Sequence, residues 1–132
     1  ELYEKGVKFY GFGYDSFKAN IPINSIASWM VSISGNANIP KDYIVPVSQK
    51  NASYNPVVEE LDFMVKRTPP LIHFSPNPMW PWEFGNARLD VDSRNDNKKP
   101  IKAGEYEKVD NVQCLLSALI MYDRASGREN KE

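Results

Sequence analysis

Few side chains in this sequence are equipped for covalent or acid–base chemistry. Among 132 residues His73 is the only histidine and Cys114 the only cysteine. A histidine-based triad or a zinc site with several His and Cys ligands is therefore incomplete within the chain. His73, between Ile72 and Phe74, reads as a structural hydrogen-bonding residue. Cys114 falls in an apolar run and reads as a small buried hydrophobe. Asp90 and Asp92, followed by Asn95 and Asp96, supply closely spaced oxygen ligands of the kind that hard cations prefer. They suggest at most a weak cation site. As an EF-hand loop the stretch fails, with Arg94 at the fifth position, Asn95 where glycine is needed and Ile101 in place of the bidentate glutamate. No glycine-rich dinucleotide loop, phosphate loop or serine elbow occurs. The expectation is a non-enzymatic protein with no cofactor and no metal.

Binding chemistry is better represented. From Thr68 to Phe84 the chain reads TPPLIHFSPNPMWPWEF, five prolines threaded through aromatic and aliphatic residues. That density predicts an extended, polyproline-like arm over 68–84, with an edge strand at Leu71–Phe74. In an extended stretch Trp80 and Trp82 would face the same way and present a paired anchor, with Met79 and Phe84 beside them. Tryptophan is enriched at interface hot spots, so these four residues are the candidate contact with a protein partner or a second subunit. The same two tryptophans with Asn77 and Asn86 would also make a carbohydrate platform.

A second aromatic set is Tyr10, Phe12 and Tyr14, which share one face of a strand and could stack unpaired bases. Residues Gly11, Phe12, Gly13, Tyr14 and Phe17 resemble the RNP1 box of RNA-recognition motifs. The string departs from that box at Tyr10, where Lys or Arg belongs, and at Asp15, where an aliphatic residue belongs. It covers under a tenth of the chain and assigns no family. It implies single-stranded nucleic-acid binding, with Lys5, Lys8, Lys18, Lys98 and Lys99 meeting phosphates. Sixteen basic against seventeen acidic residues supply no global field for a polyanion.

The elements that must position these residues follow from periodicity and punctuation. A helix is expected over about 56–67, capped by Asn55 with Pro56 first, its acidic Glu59, Glu60 and Asp62 early and Lys66 and Arg67 late. Another is expected over about 111–126, capped by Asp110 with Gln113 completing a capping box, and stopped at Gly127, with a strand over Cys114–Tyr122 as the alternative. Residues 24–34 read as a third helix, although Trp29, Val31 and Ile33 also suit a strand. Strands are expected at Val7–Tyr14 and Asp42–Val47, the latter on an edge because of Pro46. Residues 86–108 read as a long polar loop with a short strand at Arg88–Val91. The fold class is α+β: two or three amphipathic helices on a small mixed or antiparallel sheet, in a single globular domain spanning 1–132.

No apolar run approaches the roughly 20 residues that cross a bilayer, so no membrane partner is expected. One cysteine excludes an intrachain disulfide framework, and with it a soluble protein in a reducing compartment is expected. Asn51-Ala52-Ser53 matches the glycosylation acceptor pattern. Glu1 in place of a methionine fits an excised domain or a processed product. The functional expectation is an interaction or self-assembly domain that docks residues 69–84 onto a partner or neighbouring subunit. Single-stranded nucleic-acid binding and carbohydrate binding are the alternatives.

Overall fold

The computed structural model describes residues 5, 11–15, 25–29, 32 and 44–129. They form an α+β structure with two separate two-stranded pairs, one parallel and one antiparallel. Strand β1, Phe12–Tyr14, pairs in parallel with β2, Ile44–Pro46, in the register Phe12↔Ile44 and Tyr14↔Pro46. Helical residues 25–29, here α1, agree with the helix expected there. The remaining elements are α2 (Asn51–Lys66), α3 (Met79–Asn86), β3 (Ala87–Val91), β4 (Lys98–Lys102) and α4 (Asp110–Glu129). Two compact units divide the chain. One holds residues 1–48 and 120–132; the other holds 49–119 and carries α2, α3, the β3–β4 hairpin and the start of α4.

Helix α2 begins five residues before the predicted start. Lys50 is its N-cap and Pro56 lies inside it. A proline there costs one N–H, and the carbonyl that loses its donor belongs to solvent-exposed Ala52. The added turns bury Tyr54, which continues the stripe through Val57 and Leu61, and the Tyr54 hydroxyl hydrogen-bonds Gln49 Oε1 at 2.7 Å. Starting at Asn51 moves Glu59, Glu60 and Asp62 to mid-helix, away from the positive end of the dipole. Asp62 instead pairs with Lys66 one turn on, an exposed bridge worth a few tenths of a kcal/mol.

The long polar loop expected over 86–108 is largely a β-hairpin. Strands β3 and β4 pair antiparallel from Ala87↔Lys102 to Val91↔Lys98. Its tip is an Asx turn: Arg94 N–H donates to Asp92 Oδ1 at 2.8 Å, Asp96 N–H to the Asp92 carbonyl, and Asp96 takes a left-handed φ of 55°. Two asparagines of α2 tie the hairpin down. Asn51 Nδ2 donates to the Asp90 and Asn97 carbonyls and to Asp90 Oδ2, and Asn55 Oδ1 accepts from Lys98 N–H.

Helix α4 runs past Gly127, which the sequence suggested as its stop. Val109, Val112 and Leu116 are buried along one face. Cys114 lies off that face and is exposed, contrary to the buried position expected for it. No described helix is long and apolar enough to cross a membrane.

Candidate functional site

The proline-rich segment has no regular structure up to Asn77, Pro78 already takes helical angles (φ −63°, ψ −13°), and from Met79 the chain is helical, so Trp80, Trp82 and Phe84 lie on α3 and not on an arm. Asn77 starts the helix: its Oδ1 accepts the Met79 N–H at 2.9 Å, and its carbonyl accepts the Trp80 N–H at 3.2 Å. Trp82 N–H then bonds the Pro78 carbonyl. Pro81 occupies the third helical position, where no intrahelical donor is needed, so its missing N–H costs nothing. Proline density excluded a helix interior but was compatible with a first turn. Leu71–Phe74 is not a strand.

Helical geometry separates the two tryptophans that an extended chain would have aligned. Trp80 and Phe84, four residues apart, share a face with Phe74. The Phe74–Trp80 and Phe74–Phe84 ring centroids are 5.0 and 5.6 Å apart, tilted and edge-on respectively. Such pairs add about 0.5–1.5 kcal/mol beyond their buried area. Beside them Val65, Pro76, Pro78 and Pro81 complete an apolar groove of about 530 Å³. Trp82 points elsewhere and is 53% exposed. Of the four predicted contact residues, Met79 and Trp80 are half-buried while Trp82 and Phe84 remain exposed.

A second cleft of about 270 Å³ runs between α2 and the hairpin, lined by Val58, Leu61, Leu89, Pro100 and Leu116. Val65 and Phe84 border both hollows. Phe63, Leu71 and Val91 are also exposed within this unit, at 49–60%.

Glu83, on the same short helix, is buried with 3% of its surface exposed. Its carboxylate accepts Asn111 N–H at 2.8 Å, Val112 N–H at 3.2 Å and Asn111 Nδ2 at 2.8 Å. It therefore caps α4, the role that the sequence suggested for Asp110 and Gln113, and puts its charge at the positive end of that helix. Because the cap comes from 28 residues upstream, no local motif could reveal it.

Asp90, Asp92 and Asp96 serve the hairpin tip and the Asn51 tie, and the described residues hold no metal-sized cluster of His, Cys, Asp and Glu. Asn77 and Asn86, the amides of the carbohydrate platform, are already engaged: Asn86 is buried and donates to the Lys108 carbonyl. Phe12 and Tyr14 share the face of a three-residue strand, whereas Tyr10, Lys8 and Lys18 lie outside the described residues. Lys99 Nζ donates to the Gln49 carbonyl, and His73 is exposed. Phe74 and Val65 were not singled out as contact residues. Their signal, apolar side chains flanking the proline run, was present but unlocated.

Comparison with protein-family models, with curated proteins and with solved structures finds no match to this chain.

Proposed function

We propose that this chain is a non-enzymatic interaction domain that docks onto another protein through α3, using the groove walled by Phe74, Trp80 and Phe84 together with Trp82, exposed on the same helix. The observation that carries this reading is the apolar groove of about 530 Å³ walled by Phe74, Trp80 and Phe84, on a helix whose other side exposes Trp82. Its rings are fixed by one another and by the Asn77-capped helix, so little side-chain entropy is lost on binding. An aromatic ring set in a desolvated hollow is the usual anatomy of a binding hot spot. Site-specific photocrosslinking in living cells tests it, with benzoylphenylalanine in place of Trp82 and, as the control, in place of Tyr106, which is 88% exposed. A discrete protein adduct at position 82 and none at 106 is expected. Absence of any adduct at 82, or equal adducts at both, overturns the reading.

A further inference from the structure

The β3–β4 hairpin has two outer edges, and they are treated differently. Hydrogen-bonded and non-hydrogen-bonded pairs alternate along an antiparallel ladder. Asp92 N–H bonds the Asn97 carbonyl at the tip, and Ala103 N–H bonds the Asn86 carbonyl at the base. With the observed register, the hydrogen-bonded pairs are then Asp90/Lys99 and Arg88/Ile101. The peptide groups of Ala87, Leu89 and Val91 point away from β4, and those of Lys98, Pro100 and Lys102 point away from β3. On the β4 side the edge is largely blocked: Lys98 N–H is taken by Asn55 and Pro100 has no N–H, which leaves Lys102 as its one outward donor. On the β3 side Ala87 N–H closes the end of α3 by bonding the Phe84 carbonyl. Leu89 and Val91 have no partner for their outward peptide groups among the described residues. Residues 88–91 are all exposed, Leu89 at 54% and Val91 at 49%. An uncovered edge of this kind is a template for another strand.

The five-residue sequence of β3, Ala-Arg-Leu-Asp-Val, identifies which strand fits. Laid antiparallel against its own copy with Leu89 on the two-fold axis, it places Leu89 opposite Leu89 and Ala87 opposite Val91. It also places Arg88 of each chain opposite Asp90 of the other. We propose that β3 pairs with β3 of a second copy of this chain, making a continuous four-stranded antiparallel sheet in the order β4-β3-β3-β4. The interface is isologous, as closed two-fold dimers require. Leu89 exchanges both of its backbone hydrogen bonds with its counterpart, and each Val91 N–H reaches an Ala87 carbonyl. The two Arg88–Asp90 contacts fall at non-hydrogen-bonded positions, where facing Cα atoms approach to about 4.5 Å and side chains are closest. In the single chain Arg88 donates through Nη1 alone, to the Gly85 and Ala87 carbonyls, which leaves its other N–H groups to meet the carboxylate. Sliding the pairing by two residues sets Asp90 against Asp90 in one direction and Arg88 against Arg88 in the other, so like-charge repulsion disfavours both neighbouring registers.

This surface is distinct from the aromatic face, and the proposal stands or falls without it. Analytical ultracentrifugation of the chain up to roughly 1 mM, a range that reveals even weak association, provides the test. The wild type is expected to dimerise. Arg88→Asp, at an exposed position, is expected to weaken the dimer roughly tenfold to hundredfold, because two opposite-charge pairs become like-charge pairs. Asp90→Arg should do the same, and an equimolar mixture of the two variants should recover the dimer through complementary pairing. Because Asp90 also holds Asn51, a mutation-free measurement accompanies these: amide exchange at Leu89 and Val91 in the wild type should slow as concentration rises. A wild type that stays monomeric, an Arg88→Asp dimer as tight as wild type, or concentration-independent exchange at both amides overturns the proposal. Dissociation by Trp82→Ala with Arg88→Asp silent would place the contact on the aromatic face instead.

Discussion

Replacing Glu83 by alanine is the severest single test of how this unit is held together. The carboxylate receives three donors, and two of them are backbone N–H groups at the start of α4 that have no intrahelical partner. Losing an N-cap costs about 0.5–2 kcal/mol, and the interaction of a partly buried charge with the dipole adds up to about 2 kcal/mol. Val112 is 3% exposed, so its N–H would be left unsatisfied away from water, a further cost of about 1–3 kcal/mol. These contributions overlap, and about 3–5 kcal/mol is expected for Glu83→Ala. Glutamine keeps one acceptor oxygen in the same place without the charge, and about 1–2 kcal/mol is expected for Glu83→Gln. Urea unfolding followed by circular dichroism reads both, with the wild-type slope as the check that the transition remains comparable. Against a typical total of about 5–15 kcal/mol the alanine loss is large. A cost below about 1 kcal/mol for alanine, or equal costs for alanine and glutamine, would refute a charged cap as the device that joins α3 to α4.

Asn51→Ala removes three of the four hydrogen bonds that tie α2 to the hairpin, leaving that of Asn55, and should cost about 1–2 kcal/mol while raising amide exchange across residues 87–102; unchanged exchange would show that the Asn51 tie is dispensable. The same contacts occupy the nitrogen that a glycan would need, so expression in a glycosylating host should give folded protein unmodified at Asn51. Cys114 should react with a thiol reagent in the native state nearly as fast as in the unfolded state, because it is exposed; strong native-state protection would contradict its placement on α4.

What the sequence revealed and what it hid divide along physical lines. Strong periodicity announced α2, where a stripe such as Val57 and Leu61 has one interpretation, and it favoured α4 over the strand that the apolar run Cys114–Tyr122 also allowed. Their ends were hidden because each was decided by tertiary contact: Tyr54 burial extended α2 backwards, and Glu83 capped α4 from another helix. The hairpin was obscured for a different reason. Its strands contain Arg88, Asp90, Lys98, Lys99 and Lys102, polar residues that a two-stranded ribbon tolerates and a buried sheet would not. In the candidate site, composition drew attention to Trp80, Trp82 and Phe84. It misjudged their arrangement, because proline at Pro81 is as compatible with a first helical turn as with an extended chain. A turn of helix rotated Trp80 into a cluster with Phe74 and Phe84 and left Trp82 outside, a division that no reading of spacing along an extended arm could produce.

The central claim is that the face built by α3 and Phe74 binds protein, and affinity for the protein crosslinked at position 82 tests it most directly. Titration of that partner against the wild type and Trp82→Ala should show a loss of more than about tenfold, the scale of a hot-spot residue. The unfolding midpoint should be nearly unchanged, because the exposed indole contributes little to the core. Equal affinity of the two proteins would contradict the account.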